Sequence, residues 1–246
     1  MIRDIYRFGK KSISNVSNIT AISVSIIKKN IYKDAVYTYW WNKKKNFGDL
    51  VTPYLLNHYG IKPIHTFIDR AELISTGSII QRASEADFKG IILGSGIIKD
   101  EKRILPNANI IAVRGKLTAD RINAPSDIII GDPGILISEL ITSKNSKQFK
   151  IGILPHFQDL DNEKVLKFIN RHKSEVLLID VRNNPIHVGN QINKCEYIIS
   201  SSLHGLITAD SLNIPNLRFK LNEIASGGGD FKFLDYYTSI DRNDIC

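Results

Sequence analysis

The sequence predicts an α/β protein built on parallel sheets, and three observations carry that prediction. From Ala35 onward, short β-branched runs alternate with segments of helical period, the mark of successive βαβ units. Several of the runs, Ile110-Ile111-Ala112-Val113 among them, are apolar throughout, as strands covered on both faces are. A polar stretch at 142–148, with no apolar period, then parts one group of strands from a second. The expected organisation is a basic arm at 1–33, a first lobe at 34–145 and a second lobe at 146–246.

In chain order, strands are expected at 35–41, 72–76, 90–93, 110–113 and 127–130 before the polar stretch. After it come 150–154, 175–180, 197–200 and a short one at 216–219. Helical period marks 49–59, with Gly60 as its stop, then 116–121, 162–172 with Asp161 as N-cap, and 206–212. Gly227-Gly228-Gly229 reads as a loop before an aromatic segment at 231–237, which is expected to pack back toward the first lobe.

Charge is unevenly spread. The formal net charge is +8, yet residues 1–50 hold ten Lys/Arg against three Asp and so supply +7 of it. Basicity confined to an arm and to Lys43-Lys44-Lys45 argues against a nucleic-acid-binding face. The arm reads as a solvated tail; its sharper reading is an interfacial helix on anionic lipid, with Arg3, Arg7, Lys10 and Lys11 interleaved with Ile2, Ile5, Tyr6 and Phe8. The two cysteines, Cys195 and Cys246, have neither disulfide-framework nor metal-ligand spacing. With no ~18-residue apolar run and no secretory leader pattern, the expected location is the cytoplasm, at most the inner face of the membrane.

In open parallel sheets, ligands bind beyond the carboxyl ends of strands, so the residues that follow strands carry the information. Gly94-Ser95-Gly96 lacks the third glycine and the acidic partner of a dinucleotide fingerprint, and the chain holds no phosphate loop, HExxH pair or GxSxG elbow. Ser200-Ser201-Ser202-Leu203-His204-Gly205 offers hydroxyls, helix-start amides and an imidazole, either as an anion cradle with a proton donor or as an ordinary serine-capped helix. Arg114 ends an apolar run, where a guanidinium either grips an anion or forms a salt bridge. Asp49 and Asp132 read first as caps. Of the other histidines only His156, just after a strand, invites attention.

Asn46-Phe47-Gly48-Asp49, Gly94-Ser95-Gly96, Val113-Arg114-Gly115, Gly131-Asp132-Pro133, Ser201-Ser202-Leu203-His204-Gly205 and Phe231-Lys232-Phe233-Leu234-Asp235-Tyr236-Tyr237, in this order, resemble the polysaccharide pyruvyl transferase family of bacterial surface-polymer biosynthesis. The resemblance covers about 40–240. It implies two Rossmann-like lobes facing a cleft, a glycosyltransferase-B-like plan. It further implies phosphoenolpyruvate as donor and a sugar or lipid-linked oligosaccharide as acceptor. Such chemistry asks for one positioned acid/base, cations for the donor and backbone amides, with no metal required in principle.

In that setting His204 becomes the acid/base or a phosphate ligand, and Arg114 the anion clamp facing it from the opposite lobe. Gly94, Ser95, Gly96, Ser200, Ser201, Ser202 and Gly205 become donor-binding, with Asn46, Asp49, Asp132 and His156 as further cleft residues. The chain departs from the family at Ser202, where relatives often carry Arg. Two rival functions remain at this point: a nucleotide-sugar glycosyltransferase of the same plan, and a non-catalytic glycan-binding member.

Overall fold

A computed structural model describes residues 33–142, 146–221 and 229–242. The arm at 1–33 lies outside the described residues apart from Lys33.

The chain forms two wholly parallel sheets. The first has six strands, β1 (Ala35–Tyr39), β2 (Lys62–His65), β3 (Leu73–Ile74), β4 (Ile91–Ser95), β5 (Asn109–Val113) and β6 (Ile129–Ile130), ordered β2-β1-β3-β4-β5-β6. The second has four, β7 (Phe149–Leu154), β8 (Val176–Leu178), β9 (Cys195–Ser200) and β10 (Asn216–Arg218), ordered β10-β9-β7-β8. Both orders reverse direction once, between β1 and β3 and between β7 and β9.

The helices are α1 (Val51–His58), α2 (Ile80–Glu85), α3 (Lys116–Arg121), α4 (Glu163–Arg171), α5 (Pro185–Asn193), α6 (Leu203–Ser211) and α7 (Phe231–Ser239). Among the described residues, three 3-10 segments run over Phe47–Leu50, Ile68–Arg70 and Pro133–Leu140. Two local expectations need correction. The N-cap of α4 is Asn162, whose side chain accepts from the Lys164 N–H, and not Asp161. The helix after β9 begins at Leu203, three residues before its apolar period announces it. Strand β2 contains Pro63, which a central strand would reject; it is tolerated because β2 is an edge.

The sheets share a core. Phe47, Val51 and Leu55, which follow β1, join Ile137 and then Leu154, Ile179, Val188 and Ile198 of the second half in one buried cluster. Each such side chain contributes roughly 1.5–3 kcal/mol on burial, so this seam is no loose contact. The Phe47 N–H donates to the Val181 carbonyl at 2.8 Å across it.

Helix α7 is the second tie. Phe233, Tyr236 and Tyr237 pack with Leu203, Leu206 and Ile207, while Asp235 points the other way, to α3. There its carboxylate accepts from Arg114 Nε (2.8 Å), the Thr118 N–H (2.7 Å) and the Thr118 hydroxyl (2.6 Å). Gly115 permits this approach, since a Cβ there would fall 1.8 Å from the Asp235 carbonyl oxygen.

Candidate active site

The two reversals of strand order meet at one cavity of about 270 Å³. Trp41, Asn46 and Asp49 reach it from beyond β1, and Ser78, Ile79 and Arg82 from beyond β3. His156, Phe157 and Gln158 arrive from beyond β7, and Ser202, Leu203 and His204 from beyond β9. These are the positions where parallel sheets leave a crevice at their carboxyl ends, here doubled. Ile98 and Lys232 complete the wall.

The cavity wall is rich in cationic and imidazole groups. Arg82 lies over the Trp41 ring, 4.3 Å from its centroid, and Lys232 over Phe233 at 5.2 Å. Among the described residues neither forms an ion pair with a carboxylate. Burial, with Arg114 and Arg218 nearby, pulls the Lys232 ammonium down to about 8, against a smaller pull upward from Asp49. Two cations without a carboxylate ion-pair partner among the described residues, beside a helix start and several ring nitrogens, suit an anionic ligand.

His204 is buried, and its Nε2 has no hydrogen-bond partner. Burial, then Arg114 and Lys232, hold its imidazole down at about 3. It is therefore neutral near neutrality. His156 behaves alike: burial, then Lys232 and Lys44, lower it to about 4, and its Nδ1 is unpartnered. Asp49 accepts from Asn46 Nδ2 at 2.9 Å, while Asn46 Oδ1 caps the segment by accepting from the Gly48 N–H.

Gly48 sets the His204 ring. A Cβ at Gly48 would fall 2.1 Å from His204 Nδ1 and 2.3 Å from its Cγ, so the ring can lie there only against glycine. Gly48→Ala should displace the imidazole and lower turnover by tenfold or more, at about 1–3 kcal/mol in stability. Paired kinetic and melting measurements check this; unchanged turnover would detach the ring position from activity.

Arg114 occupies a different place from the clamp expected of it. Its side chain is fully buried and does not line the cavity. Nε donates to Asp235, Nη2 to the Ile97 carbonyl at 2.6 Å and Nη1 to Ser78 Oγ at 2.6 Å, so each of its three nitrogens has a partner within the fold. Only through Ser78 does it touch the cavity wall. Arg82 and Lys232 present cations where Arg114 does not.

The expected donor-binding set divides similarly, and only Ser202 lines the cavity. Ser95 Oγ donates to the Gly77 carbonyl and Ser200 Oγ to the Leu154 carbonyl. Ser201 Oγ donates to Asp159 and accepts from the His156 N–H at 2.8 Å, which orients the loop carrying His156. The glycines serve close packing: a Cβ on Gly96 would strike the Arg114 guanidinium at 2.2 Å, one on Gly205 Ser200 Oγ at 2.4 Å, and one on Gly94 Pro133 at 2.0 Å. Gly94 also sits at φ +81°, where other residues are strained. Asp132 caps the Pro133–Leu140 segment through the Gly134 N–H and stays off the wall.

Arg82 escapes sequence reasoning because α2 spans only six residues, too few to display a period. Lys232 stands inside the Phe231–Tyr237 motif, where its aromatic neighbours make it look like surface. The available signal was its lone cationic character between two buried phenylalanines. Among the described residues no helix is long and apolar enough to cross a membrane.

Comparison with known proteins is specific. The model of the polysaccharide pyruvyl transferase family matches residues 22–222. An uncharacterized protein of Acanthamoeba polyphaga mimivirus is 33% identical over 161 residues, 63% of this chain and 56% of its own length. The succinoglycan biosynthesis protein ExoV of Rhizobium meliloti is 26% identical over 191 residues, 72% of this chain and 57% of its own length. The matched part thus spans little more than half of each relative.

Proposed function

The chain belongs to the polysaccharide pyruvyl transferase family, and on that premise we propose that it transfers pyruvyl from phosphoenolpyruvate to a sugar of a surface-polysaccharide precursor, forming a cyclic ketal. The name of its Rhizobium meliloti relative, a succinoglycan biosynthesis protein, agrees with a role in polysaccharide assembly. One observation carries the donor assignment: Arg82 and Lys232, without carboxylate partners among the described residues, line a cavity of about 270 Å³. That volume accommodates a three-carbon carboxylate phosphate. The plan we favour is glycosyltransferase-B-like, with the two sheets as lobes and the acceptor entering past Trp41 and Phe157.

Calorimetric titration with phosphoenolpyruvate and, separately, with sugar nucleotides tests the donor. Mass spectrometry of oligosaccharide acceptors then seeks the added ketal. Lys232→Ala should weaken phosphoenolpyruvate binding about tenfold to a hundredfold, the worth of one charge-assisted hydrogen bond of about 1.5–3 kcal/mol. Binding of a sugar nucleotide, but not of phosphoenolpyruvate, would overturn the assignment.

A further inference from the structure

Resting on that reading of the donor, we infer that Asp49 is the acid that protonates the donor's methylene carbon, with His204 as the base that receives the proton of the attacking hydroxyl. Ketal formation from an enol phosphate moves two protons in one cavity, since one must reach carbon while another leaves oxygen.

Asp49 is the one carboxylate among the residues lining the cavity. The neighbouring carboxylates lie off the wall: Asp235 is held by Arg114 and Thr118, Asp159 by Ser201, and Asp132 accepts from the Gly134 N–H through Oδ1 while its Oδ2 is unpartnered. Asp49 forms no ion pair among the described residues and has one hydrogen bond, from an Asn46 amide whose other end is fixed by the Gly48 N–H. Such a carboxyl can keep its proton. Burial pushes it up to about 7, against smaller opposing effects from Asn46 and Lys232. A bound donor's negative charge acts in the same direction. The unpartnered Nε2 of His204, on a ring kept neutral by burial and by Arg114 and Lys232, becomes the complementary acceptor once a bound donor's negative charge offsets those cations. Two titratable groups pushed apart by their surroundings take opposite roles.

The steps balance. The Asp49 O–H bond breaks as the donor's C=C electron pair forms a C–H bond, turning methylene into methyl. The oxygen of the first sugar hydroxyl bonds to the electron-poor central carbon, and its proton passes to His204 Nε2. The second hydroxyl then bonds to the same carbon while the C–O bond to phosphate breaks, its electron pair leaving with phosphate. The imidazolium returns its proton to the departing phosphate, and the second hydroxyl's proton restores Asp49.

Asp49→Asn keeps the size of the side chain and removes the transferable proton. With phosphoenolpyruvate and acceptor, turnover should fall about 10²–10⁴-fold, while calorimetric donor affinity stays within threefold. The wild-type rate should decline as pH rises above about 7, because the acid form is lost, and this alkaline limb should vanish from the residual activity of the variant. The other ionisable groups around Asp49 are Lys232, Arg82, Tyr39, His156 and His204. Lys232→Ala separates its contribution, since it should alter donor affinity and keep the limb. The variant should also be no less stable than wild type at pH 8, where the wild type holds an ionised buried carboxylate.

Turnover within threefold of wild type, or loss of donor binding together with turnover, overturns the assignment of Asp49. A wild-type protein that binds phosphoenolpyruvate and forms ketal while Asp49→Asn does so equally well rejects this inference alone. A wild type that does neither rejects the functional reading on which it rests.

Discussion

His204→Ala is expected to lower turnover by about 10²–10⁴-fold, the usual yield of one positioned proton-transfer group, with donor affinity little changed. The imidazole sits on the first turn of α6, its ring against Gly48 and edge-on to Phe47 at 6.4 Å, so its position is set by packing. His204 is one of the residues lining the cavity, and its buried Nε2 has no hydrogen-bond partner. His204→Gln should fail to restore the rate, because an amide occupies similar space and accepts no proton; substantial rescue by Gln would make the residue a phosphate ligand. The stability consequence has a definite sign. The imidazole is held well below its ordinary value of 6.5, so below that value the unfolded chain binds a proton that the folded chain refuses. The wild type should lose stability as pH falls from about 6.5 toward 3, and His204→Gln should lose less. Melting temperatures across that range for both proteins check it.

The sequence announces this site through its backbone punctuation more than through its charges. Asn46-Phe47-Gly48-Asp49 and Ser200–Gly205 are legible because they follow strongly apolar runs, and the structure puts Asn46, Asp49, Ser202 and His204 on one cavity wall. Strands such as β5 and β7 are legible for the same reason. Strand β2 escapes because its proline contradicts a strand and only its edge position excuses it. Helix α5 escapes because its apolar residues are interrupted by Gly189 and by polar Asn190 and Gln191. The placement of Arg114 and of the glycines is not legible for a further reason. A residue at the carboxyl end of a parallel strand can face the crevice or the layer behind it, and local sequence does not say which. What decides for Arg114 is Asp235, 121 positions away.

Replacing Arg114 is therefore expected to damage folding before it damages donor binding. Its guanidinium and the Asp235 carboxylate are both fully buried, and Arg114→Ala would leave that carboxylate without its cation. Removing one partner of a buried ion pair costs about 3–5 kcal/mol, a large share of the roughly 5–15 kcal/mol by which a domain is stable. For a chain of this length the midpoint of thermal unfolding should drop by roughly 6–20 °C. Arg114→Lys should rescue little, because a single ammonium cannot reach Asp235, Ser78 Oγ and the Ile97 carbonyl with the fork that three guanidinium nitrogens provide. Arg114→Met combined with Asp235→Asn should lose less than the sum of the single changes, since the amide oxygen can still accept from Thr118 while no buried charge is stranded. Thermal melts of wild type, Arg114→Ala, Arg114→Lys, Arg114→Met, Asp235→Asn and the double variant, read beside calorimetric donor affinity, separate the two roles. An Arg114→Ala protein that melts with wild type and binds phosphoenolpyruvate ten times more weakly would make Arg114 the anion clamp after all, and would require the cavity to open far enough to expose it.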